Sequence, residues 1–307
     1  MGRALKSMMV AVGLMVGLAA PAVSNSFEDG AAAYEKGDYT TALQLWLPLA
    51  TAGDAMAQIR VAALYADGRG VTRDYAEAAK WFRRAADQGN ARAQFNLATM
   101  FGHGQGVPQS HVEAVKWYRA AAEQGYPFAQ FNLGGMYAEG HGVLQNHVEA
   151  MKWYRLAAEQ GHPAAQYNVA LGYAKGQGAQ QDDAAAMKWA TLAGNQGHVI
   201  AQYNVGIMYA SGRGVSRNDA EAAKWYRLSA EQGYVLAQSS LGHQYFTGTG
   251  VPRDLVQALM WLELATDRGD ARAIENRDRI ARSMTPAQIA EAQKLASEWK
   301  SRPRPAK

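Results

Sequence analysis

The chain has 307 residues and a formal net charge of +4, with 48% hydrophobic and 19% charged residues and no cysteine. That is enough apolar material for a sizeable core. The missing cysteines exclude a disulfide framework, a thiolate metal site, a cysteine nucleophile and a bacterial lipid anchor. Arg3 and Lys6 account for two of the positive charges, so the remainder carries about +2 and gives no signal for nucleic acid.

The first 22 residues read as a secretory signal peptide. Arg3 and Lys6 form a basic head, an apolar run follows from Met8 to Ala20, and the small-residue step Ala20-Pro21-Ala22 predicts cleavage after Ala22. The apolar run falls short of the ~20 residues of a membrane span, and no later segment is apolar enough to be one. The expectation is an exported chain, periplasmic or secreted, with no membrane span after the signal is removed. Residues 27–53 predict a helical hairpin with its turn at Gly37.

From residue 54 to 283 the chain repeats itself with a period of 36 residues. Trp81, Trp117, Trp153, Trp189, Trp225 and Trp261 share one phase, and Gly89, Gly125, Gly161, Gly197 and Gly233 share another. Such a period indicates stacked supersecondary units that cannot bury their faces alone. Each unit holds two predicted helices. The first runs through "AQFNLATMFG" and its equivalents, with Pro127 and Pro163 in its first turn, and ends at a Gly-x-Gly loop followed by Val or Ala. The second begins at Asp74, Ser110, Asn146, Asp182, Asn218 or Asp254, all N-cap formers. Five of these six are followed three residues later by Glu or Gln, the capping-box spacing. Apolar residues at Ala78, Ala79, Trp81, Phe82, Ala85 and Ala86 make the stripe of an amphipathic helix. The unit around Trp189 departs from the rest, with Ala179, Ala185 and Ala190 in place of Val, Glu and an aromatic, and is expected to be the softest. Residues 284–300 predict a closing helix from a Thr-Pro cap, and 301–307 form a basic tail.

Blocks such as "AQFNLGGMYAEGHGVLQNHVEAMKWYRLAAEQGH" resemble Sel1-like repeats, relatives of the tetratricopeptide repeat. The resemblance covers six units between Asp54 and Ile280 and is specific, because the Gly-x-Gly loop, the Trp and the closing Gly recur in register. It implies an all-α, right-handed α-solenoid of stacked helical hairpins, of the cysteine-free secreted bacterial type. Members of the family mostly act as protein-binding scaffolds, as adaptors, envelope regulators or assembly factors.

No motif carries chemistry of its own. The Gly-x-Gly loops follow helices and lack the Lys-Ser/Thr of a phosphate loop. His111 and His147 open equivalent helices without a third metal ligand, and His162 and His198 stand where other units have Tyr126 and Tyr234, as packing variants. "SEWK" at Ser297 lacks the companion motifs of penicillin-interacting enzymes. Arg119/Glu123, Arg155/Glu159 and Arg227/Glu231 read as i, i+4 ion pairs. The expectation is therefore a monomeric, non-catalytic scaffold for a protein partner, with no cofactor and no metal. A glycan- or peptidoglycan-binding protein is the alternative, and a cell-wall hydrolase the second.

The partner-binding expectation falls on one stripe of the first helices: Asn96, Thr99 and His103; Asn132, Gly135 and Glu139; Asn168, Leu171 and Lys175; Asn204 and Ile207. The Asn position is nearly constant and the others vary freely, as core positions do not. An amide donates and accepts, so the Asn ladder is suited to an extended ligand backbone. Alternatively, each Asn ties one repeat to the next.

Overall fold

The computed structural model describes residues 23–267 and 271–301. The leader at 1–22 and the tail after Ser301 lie outside the described residues. Every described element is an α-helix, so the all-α solenoid expectation is met. Among the described residues, no helix is long and apolar enough to cross a membrane. The chain divides into two compact units, one ending at Gln88 and one beginning at Gly89, and within each unit helical hairpins stack in sequence.

The first unit holds α1 (Val23–Glu35), α2 (Tyr39–Thr51), α3 (Ala55–Asp67) and α4 (Tyr75–Asp87). α1 begins four residues ahead of the expected boundary at 27. It is held to α2 by Trp46, which is fully buried and whose indole N–H donates to the Phe27 carbonyl at 3.0 Å. The second unit holds α5 (Ala91–His103), α6 (His111–Glu123), α7 (Pro127–Glu139), α8 (His147–Glu159), α9 (Pro163–Lys175), α10 (Asp183–Asn195), α11 (Val199–Ser211), α12 (Asp219–Glu231), α13 (Val235–Thr247) and α14 (Leu255–Thr266). It closes with α15 (Ala271–Ala281) and α16 (Pro286–Ser301), both packed on α14, where Trp299 meets Trp261 at 6.2 Å.

The first helices end in left-handed glycines at Gly68, Gly104, Gly140, Gly176, Gly212 and Gly248. All six expected N-caps accept from backbone N–H groups of the second helix. The capping boxes, however, do not close. The N-cap backbone N–H groups donate instead to carbonyls of the preceding helix, Asp74 to Tyr65 and Asn146 to Tyr137, each at 2.9 Å. Glu77, Glu113, Glu149 and Glu221 turn outward and pair with the Lys three residues on. A closed box does form at α16, where Thr285 N donates to Gln288 Oε1 and Gln288 N to Thr285 Oγ1. Of the three expected i, i+4 ion pairs, Arg155–Glu159 forms at 3.7 Å. Arg119 and Arg227 reach instead to the first helix of the next hairpin and donate to the hydroxyls of Tyr137 and Tyr245.

Two further recurring contacts join one repeat to the next. The first is a buried glutamine on each first helix. Gln130 donates from Nε2 to the Ala122 carbonyl at the end of α6 (3.1 Å) and accepts at Oε1 from Gln160 at the end of α8 (2.8 Å). Gln166 and Gln202 repeat the pattern on Ala158 and Gly194, with Gln196 and Gln232 as their donors. Within the first unit, Gln58 does the same with Ala50 and Gln88. The carbonyls at a helix C-terminus have no i+4 partner inside the helix; each of these accepts the backbone N–H of the closing glycine, as Ala158 does from Gly161 at 3.0 Å, and takes the glutamine as a second donor.

The second contact explains why each loop carries two glycines. The second glycine presses on the start of the preceding hairpin's second helix: a Cβ on Gly142 would overlap the His111 carbonyl, and one on Gly214 or Gly250 the carbonyl of Asp183 or Asp219. The residue between the glycines adds a side-chain contact at the same place. Arg69 lies over the Tyr39 ring at 5.3 Å, His141 stacks on His111 at 5.1 Å, and Arg213 pairs with Asp183 at 3.1 Å.

Thermal melts of single variants test both contacts. Gly161 has φ +88° and open space around it, so Gly161→Ala costs about 1–2 kcal/mol of left-handed strain. Gly142 has φ +72° as well as the overlap with His111, so Gly142→Ala costs clearly more, about 3 kcal/mol. Gln166→Leu conserves bulk but removes the bonds to the Ala158 carbonyl and from the Gln196 amide, and lowers stability by about 1 kcal/mol; an unchanged melt would show that the glutamine tie is dispensable.

Candidate binding face

The stripe expected to bind a partner lies on α5, α7, α9 and α11, all in the second unit. Its inner edge is set by the first-helix core, where Ala129, Leu133, Ala165, Val169, Ala201 and Val205 are completely buried. The asparagines sit next to that core and are half-buried. His103, Glu139, Lys175 and Ile207 are exposed, while Thr99, Gly135 and Leu171 are intermediate.

Asn132, Asn168 and Asn204 have partners within the protein. Asn132 hydrogen-bonds the hydroxyl of Tyr118, and Asn168 that of Tyr154, in each case a tyrosine on the second helix of the preceding hairpin. Thr99 Oγ1 shares the Tyr118 hydroxyl at 3.0 Å, and His103 Nδ1 lies 2.8 Å from the Thr99 carbonyl. Asn204 differs: position 190 is alanine, and Asn204 makes a long 3.4 Å bond to the Tyr167 hydroxyl. The backbone tie between repeats is made by the glutamines rather than by these asparagines.

Three hollows follow one another along this face, one per hairpin junction. The first lies between α7, α8 and α9 and is lined by Glu139, Tyr154, Asn168, Leu171 and Lys175. The next, about 240 Å³ in volume, lies between α9, α10 and α11 and brings together Leu171, Lys175, Asn204 and Ile207 with Ala190 and Arg213. A larger hollow of about 500 Å³ follows, lined by Tyr203, Tyr226, Ser240, His243 and Asn276 among others. Six of the eleven expected residues thus line the first two hollows, while none of these hollows takes in Asn96, Thr99, His103, Asn132 or Gly135. Ala170, Ala190, Met208 and Arg213 join the site only in three dimensions.

Burial dominates the electrostatics. The Tyr154 phenol is pushed up to about 12 by burial, then by the Glu139 charge, against a smaller opposing effect of its Asn168 hydrogen bond. Tyr226 is likewise held at about 12 by burial and by Tyr203 and Asp219. Both rings therefore enter the face as neutral groups at any physiological pH. His111 and His147, compared in the sequence, do not pair; the neighbour of His111 is His141. Among the described residues, no three side chains of His, Asp or Glu converge as metal ligands.

The Sel1 repeat family model matches residues 55–90, 91–126, 127–162, 163–198, 199–234 and 235–270. The chain belongs to the Sel1 repeat family. A Sel1 repeat protein from Oxalobacter formigenes is 33% identical and superimposes with a TM-score of 0.68, over 78% of this chain and 96% of that one. The protective antigen c5321 of uropathogenic Escherichia coli, which displays the same repeat fold, is 29% identical with a TM-score of 0.57, over 93% of this chain and 73% of its own. None of the curated proteins matches.

Two Sel1 units begin their first helix with a histidine cap. His162 Nδ1 accepts from Ala165 N and His198 Nδ1 from Ala201 N, each at 3.2 Å, and their rings stack on Phe131 and Tyr167. Only a neutral ring can accept in this way. Burial holds both imidazoles below their ordinary value of 6.5. The folded state therefore disfavours protonation. The caps contribute fully above pH 6.5, and their contribution is lost as pH falls from there through the lowered folded values. Asn90 caps the equivalent position of α5 without titrating. The double variant His162→Asn/His198→Asn should accordingly lose less stability than the parent between pH 7 and pH 5, as read by denaturant titration at each pH. An identical pH slope in both proteins would rule out the histidine caps as its source.

Proposed function

We propose that this chain is an exported, non-catalytic Sel1 scaffold that acts as a monomer at the cell envelope and holds a partner protein on the first-helix face. The observation that carries the reading is the coincidence of two patterns. Four of the positions that vary between otherwise near-identical repeats, Glu139, Leu171, Lys175 and Ile207, also line consecutive hollows on α7, α9 and α11. A repeat that conserves its core and loops while varying one exposed column keeps its fold and changes what that column contacts. Sel1 repeats typically mediate protein–protein interaction. Export is supported by Arg3 and Lys6, the apolar run after them and the Ala20-Pro21-Ala22 step.

The aromatic rings of these hairpins pack against one another, Phe131 on Tyr154 at 5.8 Å and Tyr203 on Tyr226 at 5.7 Å, rather than forming an open platform for sugars. Protein is therefore the better-supported partner class.

Site-specific photo-cross-linking in the native host tests the reading. A benzophenone side chain at Ile207, on the proposed face, is expected to give a discrete protein adduct in the exported fraction. The same group at Leu144, 90% exposed on a loop, is expected to give none. Equal labelling from both positions, or none from Ile207, would count against the face. Mass spectrometry of the same fraction is expected to find a chain starting at Val23.

A further inference from the structure

The residue after the repeat tryptophan is Tyr118, Tyr154 and Tyr226 in three hairpins of the second unit, and Ala190 in the hairpin between the last two. Tyr154 shows what the aromatic does. Its ring lies close against Gly134, beside Phe131 at 5.8 Å, and its hydroxyl passes Gly135 at a Cβ distance of 3.7 Å to reach Asn168. Tyr226 repeats the arrangement against Gly206 and Tyr203. Shifted by one period, the surroundings of Tyr154 become Tyr167, Ala170, Leu171 and Asn204. All four line the 240 Å³ cavity between α9, α10 and α11, with Ala190 in its wall. A hollow of the same volume recurs one period earlier with Tyr154 in its wall; here it extends to Tyr167, Ala170 and Leu171, into the part of the ring's space that the Ala170 methyl and Leu171 have not filled.

The depth profile of the cavity selects what fits it. Its floor is Ala170, Ala186, Ala190 and Met208, all buried to 8% exposure or less. None of these side chains offers a hydrogen bond, so the deep end suits a ring without a hydroxyl. Polar groups stand only at the mouth. Asn204 makes its single long bond to Tyr167 there, which leaves its carbonyl oxygen and one N–H of the amide uncommitted. Exposed Lys175 has no ion-pair partner among the described residues, and Arg213, paired with Asp183, adds a second positive charge.

We propose that this cavity receives a phenylalanine side chain from the partner protein, with Asn204 bonding the partner's backbone at the mouth and an adjacent acidic residue meeting Lys175. The proposal rests on the reading of the chain as a partner-binding scaffold and names what one hollow takes. The aromatic supplied by Tyr154 and Tyr226 in the flanking hairpins is here supplied in trans. A buried ring of this kind is the usual anchor of an interface.

The test uses the full mature chain, labelled at its methionine methyl groups, and short peptides of sequence Gly-Asp-Phe-Asp-Gly, blocked at both ends. The Met208 methyl resonance reports the floor. The Phe peptide is expected to shift it saturably, and replacing Phe by Ala in the peptide weakens binding about tenfold or more. Ala190→Tyr fills the cavity from inside, against the Ala170 methyl where Tyr154 has Gly134, and should abolish the Met208 shift. Lys175→Glu, at an exposed position, should weaken the acidic peptide severalfold with an unchanged melt, which keeps the proposal testable if Ala190→Tyr does not fold. No shift with the Phe peptide, an equal shift with the Ala peptide, or full binding by either variant would overturn it. A cross-linked partner at Ile207 that persists in Ala190→Tyr would overturn the anchor while leaving the scaffold reading intact. Loss of all adducts alongside normal peptide binding would do the reverse.

Discussion

Each repeat depends on one side chain doing two things at once. A glutamine near the start of the first helix donates to the last turn of the helix before it and accepts from the glutamine that ends its own hairpin. The first-helix glutamine is buried, at 4–5% exposure for Gln130, Gln166 and Gln202, so leaving its own amide unpaired carries its desolvation cost. The tie therefore fixes both the spacing and the rotation of successive hairpins within the second unit. Given that geometry, the second loop glycine must meet a helix start, and only glycine fits. Because the tie and the glycine contact hold the stack, the Asn column is released from bridging backbones and interacts instead with tyrosine hydroxyls at the edge of the face.

The period, the helix ends and the N-caps were legible in the sequence because each is a local signal: a glycine that must take a left-handed conformation, or an oxygen that must cap its own helix. What the sequence concealed was competition for those same groups. The Glu of the expected capping box had a free N–H to bond only if the preceding helix did not claim it, and the carbonyls of Tyr65, Tyr137 and their equivalents do claim it. Arg119 and Arg227 had two partners within reach, and the one on the next hairpin, invisible to an i, i+4 rule, took them. The glutamine itself stands in the repeated "AQ" step, but its constancy looked no different from that of the alanine beside it.

The site was legible in the same uneven way. Variation along a stripe otherwise constant in type marked Glu139, Lys175 and Ile207 as exposed, and they are. It did not mark where the stripe becomes concave. That depends on the second helix behind it, in particular on whether position 118, 154, 190 or 226 carries a ring. Three alanine departures in one unit suggested softness. In the structure Ala190 is buried, Ala179 and Ala185 are half-buried, and a formed cavity lies beside Ala190.

Departures from a repeat thus fall into two kinds that a sequence alone does not separate. Between the loop glycines, Arg69, His141 and Arg213 differ in chemistry, yet each makes the same contact with a matching residue at the helix start: Tyr39, His111 or Asp183. There both sides of the pair have changed together and the contact survives, so the variation leaves no surface open. At position 190 the ring is gone and its neighbours have filled only part of its place. Ala170 and Leu171 stand where the Tyr154 ring meets Gly134 and Gly135, while Tyr167 and Asn204 keep the places of Phe131 and Asn168, and a cavity remains. A contact that has lost its ring and closed only in part is a socket. In a fold that spends nearly every repeated residue on stacking, such incompletely closed losses are where a second molecule can be recognised without weakening the stack.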